Sequence, residues 1–206
     1  RGKAYLANGD FRSAIADFSE LINLTHGSAA AYLTRGDASY ARRDYDAAIK
    51  DYSEVIDRKP HDANAYFNRA LAYCTNRDFE SAIADCSVAI RLNPQDGKAY
   101  CLRGNAYRAK LAHHEAIKDY NQAIRINSRD AVAYRGRGDA NCEMGYFDPA
   151  IADYTMAIQL TPGDSLSYQS RGDAHCGKDE YDNAIADYSE AIRLHPDRKS
   201  TRLNSS

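Results

Sequence analysis

The sequence predicts an all-α protein, an α-solenoid of antiparallel helical hairpins, and three observations predict it. The stretch from Ala184 to Leu194, AIADYSEAIRL, has five near copies, beginning at Ala14, Ala48, Ala82, Ala116 and Ala150. Consecutive copies start 34 residues apart, without insertion or deletion, and a fixed period of this size marks stacked structural units. Within each period the apolar residues recur at spacings of three and four, one stripe along an α-helix. Cap and turn residues fall at fixed places between the stripes.

Setting the shared alanine as position 20 divides the chain into a partial unit at 1–28, starting at position 7, and five full units. These are 29–62, 63–96, 97–130, 131–164 and 165–198. The first half of a unit carries its stripe at positions 4, 8, 10 and 11. Position 4 is Tyr32, Tyr66, Tyr100, Tyr134 and Tyr168, read as core. Position 8 is glycine except for Ala70, and position 10 is always alanine. The second half carries positions 17, 20, 21, 24, 27 and 28, with isoleucine invariant at 21 and 28. Small residues at 8 and 20 allow two helix backbones to approach closely.

The punctuation fits two helices per unit. Ser28, Asp62, Asp96, Asp130 and Asp164 occupy position 34, suited to cap the next unit's first helix. Pro60, Pro94, Pro162 and Pro196 stand at position 32 and end the second helix. Short turns such as Arg43-Asp44 and Gly145-Tyr146 separate the two helices. Ala112-His113-His114 and Ser128 depart from the pattern, so looser packing is expected there.

Tyr at 4, Gly at 8, Ala at 20, an aromatic near 24 and Pro at 32, at period 34, resemble the tetratricopeptide repeat (TPR). The resemblance covers residues 1–198. It implies a right-handed superhelix whose concave groove is lined mainly by first helices, at positions 2, 5, 6, 9, 12 and 13. Residues 199–206 resemble the translated read-through of a sequencing-library adapter and are expected to form a disordered, non-native tail.

Composition bounds the function. Lys plus Arg number 27 against 29 Asp plus Glu, a net charge of −2. Setting aside residues 197–206, with three bases and one acid, leaves −4. Such a balance disfavours nucleic acid and anionic membrane as partners. No apolar run reaches the ~18 residues of a membrane span. The five cysteines lack paired spacing and read as reduced thiols, in keeping with a cytoplasmic location. No metal, cofactor or catalytic residue is expected, since CxxC and CxxH pairs and phosphate-binding glycine loops are missing.

Two sets of residues invite a role. Arginine is uniform at position 7 (Arg35, Arg69, Arg103, Arg137, Arg171), and aspartate is uniform at position 23 (Asp51, Asp85, Asp119, Asp153, Asp187). Matched columns of opposite charge are expected to form a structural ion-pair ladder between helices rather than a ligand site. The groove columns, by contrast, vary. They offer a mixed patch of Asn64, Phe67, Asn68, Lys98, Cys101, Asn105, Arg108, Arg135 and Asp139 as the peptide-binding groove. Asparagine can hydrogen-bond a peptide backbone whatever its sequence, and the basic residues favour an acidic segment.

The carboxylate clamp by which TPR cochaperones hold the C-termini of Hsp70 and Hsp90 is disfavoured. Its five positions would fall on Leu33, Asp37, Asn68, Lys98 and Leu102, where only Asn68 and Lys98 match and Asp37 repels a carboxylate. The expected function is a non-enzymatic protein-interaction scaffold holding a partner's peptide. The alternative is a docking or regulatory arm of a larger enzyme. Ile185, Tyr188 and Ile192 close the array with an apolar face, from which self-association is expected.

Overall fold

The computed structural model describes residues 1–195; Pro196 as a helix stop and the tail reading of 199–206 lie outside the described residues. The described residues form twelve α-helices and no strand. Helices α1 (Gly2–Ala7) and α2 (Phe11–Leu24) make the partial hairpin. Then follow α3 (Ala29–Ala41) with α4 (Tyr45–Arg58), and α5 (Ala63–Thr75) with α6 (Phe79–Leu92). Next come α7 (Gly97–Ala109) and α8 (His113–Ile126), and the remaining hairpins are α9 (Ala131–Glu143) with α10 (Phe147–Leu160), and α11 (Ser165–Gly177) with α12 (Tyr181–Leu194). The chain divides into two compact units, Arg1–Ala106 and a second beginning at Tyr107.

Small residues carry the packing in both units. Ala48, Ala82, Ala116 and Ala150 at position 20 and Ala38, Ala72, Ala140 and Ala174 at position 10 are fully buried. A further buried column at position 3 is not evident from the repeat signature: Ala31, Ala65, Ala99, Ala133 and Ser167. It receives the end of the preceding second helix. In the first unit, Val55 and Ile56 cluster with Ala65, and Ala89 and Ile90 with Ala99. Stacking hairpins thus bury apolar area that no hairpin covers alone.

The glycines at position 8 make room for the aromatic ring at position 24 of the same hairpin. A Cβ on Gly36 would lie 2.8 Å from Tyr52 Cε1, and one on Gly172 would lie 2.8 Å from Tyr188 Cε1. The exception, Ala70, clusters with Cys86, the one residue in column 24 without a ring.

Caps and turns explain the punctuation. Asp62, Asp96 and Asp130 each accept two backbone N–H groups of the first turn that follows, and Asp164 accepts one. Each turn between the helices of a hairpin places position 15 in the left-handed region. Glycine occupies it at Gly9 and Gly145, whereas Arg43, Arg77, Leu111 and Asp179 hold φ of 61–66° there. Ala112 caps α8 without a side-chain hydrogen bond. Behind this turn, Ala116, Tyr120 and Ala123 of α8 are fully buried. Asn127, which precedes Ser128 instead of a proline, keeps the extended conformation of Lys59 and Thr161 (φ −136° against −135° and −138°). Helix packing sets this bend, and proline only favours it.

Candidate functional site

The arginine and aspartate columns meet inside both units. In the first unit, Arg35 Nε and Nη2 donate to the two Asp51 oxygens at 2.9 and 2.7 Å, and Arg69 does the same to Asp85 at 2.7 and 2.8 Å. In the second unit, Arg137 holds Asp153 at 2.9 and 2.6 Å, and Arg171 holds Asp187 at 2.9 and 2.7 Å. Sixteen residues separate each arginine from its aspartate, which places them on facing helices and permits a two-pronged, planar pairing. The aspartates are buried, and the arginines reach in from half-buried positions. Asp119 is buried at the equivalent place.

The third donor of each arginine reaches the preceding hairpin. Arg35 Nη1 donates to Ser19 Oγ at 3.0 Å, Arg69 to Ser53 at 2.9 Å and Arg103 to Ser87 at 3.0 Å. In the second unit Arg171 donates to Thr155 Oγ1 at 3.0 Å, and Arg137 to Asn121 Oδ1. Ser19, Ser53, Ser87 and Thr155 in turn donate to the backbone carbonyl four residues back. This column, position 25, is polar in every unit, a signal present in the sequence but overshadowed by its charged neighbours. The position-4 tyrosines complete the arrangement. They are half-buried, with Tyr32, Tyr66 and Tyr100 packed against the buried clusters, and each lies under its arginine, with guanidinium to ring-centre distances of 5.5–5.7 Å.

The groove residues divide by unit. In the first, Asn64, Lys98 and Asn105 are exposed, and Asn68 is half-buried with Nδ2 donating to Asp37 Oδ1 at 3.4 Å. Phe67 and Leu71 pack half-buried against Ala70, Cys86 and Leu102. Cys101, expected to line the groove, is only 6% exposed, so its thiol is spent on packing. Burial also pushes the Cys74 thiol up to about 11, which leaves it a soft packing group rather than a nucleophile.

In the second unit the basic residues already face carboxylates of the protein itself, although Arg108 Nε is buried without a hydrogen-bond partner. Arg108 Nη1 donates to Glu143 Oε1 at 2.6 Å and Nη2 lies 3.5 Å from Asp139, while Arg135 Nη1 donates to Asp164 at 2.7 Å. Their attraction for an acidic segment is therefore largely neutralised within the protein. Asp139 accepts the Tyr154 hydroxyl at 3.0 Å, as Asp37 accepts Tyr52 at 2.9 Å and Asp173 accepts Tyr188 at 2.7 Å. Column 9 thus follows column 24. Aspartate stands at 9 opposite these tyrosines, while Lys3 and Leu71 accompany Phe18 and Cys86, which have no hydroxyl to donate. Burial raises the Asp37 and Asp139 carboxyls above their ordinary value, with the tyrosine hydrogen bonds opposing it. Part of the variability that suggested specificity therefore answers to internal pairing.

Among the described residues, no group of three or more His, Cys, Asp or Glu could hold a metal ion. No helix among them is long and apolar enough to cross a membrane.

Comparison with known proteins agrees with this geometry. Tetratricopeptide repeat sequence models match residues 1–54, 33–97, 97–130 and 166–198. No curated protein matches the chain. Among solved structures, the MamA protein is 27% identical, covering 85% of this chain and 96% of its own, with a TM-score of 0.71. YrrB, described as a TPR protein with an unusual peptide-binding site, is 18% identical over 87% of this chain and 93% of its own, with a TM-score of 0.67. A thermophilic TPR protein of Thermus thermophilus is 21% identical over 82% and 92%, with a TM-score of 0.69. The fold is that of a protein-interaction scaffold. With its 34-residue hairpins, its glycine and alanine contacts and its matches over most of its length, the chain belongs to the tetratricopeptide repeat family.

Proposed function

We propose that this protein binds an extended peptide segment of a partner protein on its first-helix face. The observation that carries this reading is a division of labour within α5 and α7. Their uniform positions are buried in packing (Ala65, Ala72, Ala99), while Asn64 and Lys98 keep polar side chains exposed on the same helices. Asparagine amides on a rigid helix offer both a donor and an acceptor to a peptide backbone at little cost in entropy. Half-buried Phe67 and Leu71 beside them supply an apolar floor. The peptide-binding site described for YrrB lends support by analogy of fold.

A peptide-display screen on the full chain tests the reading. Enriched peptides are expected to lose about tenfold or more in affinity on Asn68→Ala. Failure to enrich any peptide, or binding indifferent to Asn68→Ala, would overturn it.

A further inference from the structure

On the first-helix face of the first unit, Asp37 of α3 holds a charge that the protein does not neutralise. Its Oδ1 accepts the Tyr52 hydroxyl at 2.9 Å and Asn68 Nδ2 at 3.4 Å, while Oδ2 has no hydrogen-bond partner among the described residues. Nor does any arginine, lysine or histidine among them pair with it. Asp37 is exposed, yet the protein around it is dense enough to raise its carboxyl above the ordinary value. A partly desolvated carboxylate without a cation costs stability. Asp51 and Asp85 of the same unit each receive an arginine, and Asp37 receives none.

The side chains near it define what would pair with it. Tyr40 lies one helical turn further along the same face of α3 and packs against Tyr52. The Tyr40 hydroxyl meets Thr75 Oγ1 at 3.1 Å, and its ring is braced by Tyr45 at 5.4 Å between ring centres. Thr75 gives its own hydrogen to the Leu71 carbonyl, so the Tyr40 hydroxyl is the donor and is already used. An aromatic ring of fixed position and an unpaired carboxylate oxygen thus share one face. Leu33, one turn before Asp37, and Leu71 of α5 add half-buried aliphatic surface. Ring, carboxylate and aliphatic surface together match a cation on a long apolar stem. With Oδ1 engaged, one acceptor is offered, which suits the point charge of an ammonium better than the fork of a guanidinium.

The second unit lacks this combination. Asp139 is already faced by Arg108 and Arg135. Cys142 and Cys176 follow Asp139 and Asp173 at the place where Tyr40 follows Asp37. We propose that Asp37 and Tyr40 form a lysine-selective subsite, so that the bound peptide carries a lysine beside an apolar residue. This rests on the peptide-binding reading above and gives it a charge preference, opposite in the first unit to the acidic segment that the basic groove residues suggest.

Selection of random peptides from a phage library on the full chain tests it, followed by fluorescence anisotropy with a synthetic copy of an enriched peptide. Enriched peptides are expected to share a lysine. Norleucine in its place keeps the stem and removes the charge, and should weaken binding about tenfold, arginine about threefold. Asp37→Asn keeps an acceptor for the Tyr52 hydroxyl and should bind the lysine and norleucine peptides alike. Tyr40→Leu should cut the lysine advantage about threefold. Both variants should keep the helical circular dichroism spectrum. Enriched peptides without a basic residue, or a lysine advantage that survives Asp37→Asn, would overturn the subsite while leaving peptide binding intact. No enrichment at all would overturn both.

Discussion

Gly138 lies against the ring of Tyr154: a Cβ on the glycine would sit 2.8 Å from Cε1 of a side chain that is only 1% exposed. The ring is anchored at its far end by the hydrogen bond to Asp139, so it cannot swing aside. Gly138→Ala is therefore expected to cost about 1–3 kcal/mol in urea unfolding. The reciprocal case is Ala70 with Cys86. Cys86→Tyr should be poorly tolerated alone and improved by Ala70→Gly, because the second change removes the Cβ that meets the ring. Equal stability of the single and double variants would count against this pairing of columns 8 and 24.

Arg69 joins two hairpins, holding Asp85 in its own and Ser53 in the one before. Arg69→Ala strands a buried carboxylate and is expected to lose about 2–4 kcal/mol, while Ser53→Ala should lose about 1 kcal/mol. A double-mutant cycle should show coupling between Arg69 and Ser53, measured by chemical denaturation. By the same logic, Arg103→Ala should lower the melting temperature more than it weakens binding of a selected peptide. Unchanged melting with lost binding would make the arginine column a ligand site instead.

Leu111 occupies the left-handed turn position with φ 62° and a side chain 76% exposed. It gains no packing for that strain. Leu111→Gly should stabilise the protein by about 0.5–1 kcal/mol, since relief of the left-handed penalty exceeds the added entropy of the unfolded chain. A loss of stability in thermal or urea unfolding would show that the leucine makes an unrecognised contribution.

Burial raises the Asp139 carboxyl, and Arg108 and the Tyr154 hydroxyl partly hold it down. An acid whose folded value is raised binds more protons folded than unfolded, so stability falls as pH rises from its ordinary 3.8 through the folded value. Tyr154→Phe removes one of the opposing contacts and should raise the carboxyl further, extending that fall to higher pH. Carbon-detected NMR titration of the aspartates, with unfolding free energies between about pH 4 and 7, checks both the direction and the sign.

The repeat period, the helix boundaries and the arginine–aspartate pairs are legible in the chain because each repeats in register, and a uniform column reports a contact made repeatedly within both units. Position 25 is legible too, but its Ser, Thr and Asn share only polarity, which hides a column when it is read by residue identity. Column 9 misleads for a related reason. Asp37, Asp139 and Asp173 each answer to a tyrosine at column 24, whereas Lys3 and Leu71 stand opposite Phe18 and Cys86, which carry no hydroxyl. Each such pair lies 15 residues apart on facing helices, so it is not visible within one column.

Sequence alone determined the architecture, since a 34-residue register of alanine, glycine and isoleucine admits only closely stacked helical hairpins. Tertiary structure alone decided which polar groups face solvent. It paired Arg108 with Glu143 and Arg135 with Asp164, buried Cys101, and left Asn64 and Lys98 exposed. The physical reason is that apolar periodicity is a local property of one helix, whereas the pairing of a charge or hydroxyl depends on a neighbour brought alongside only when the hairpins stack.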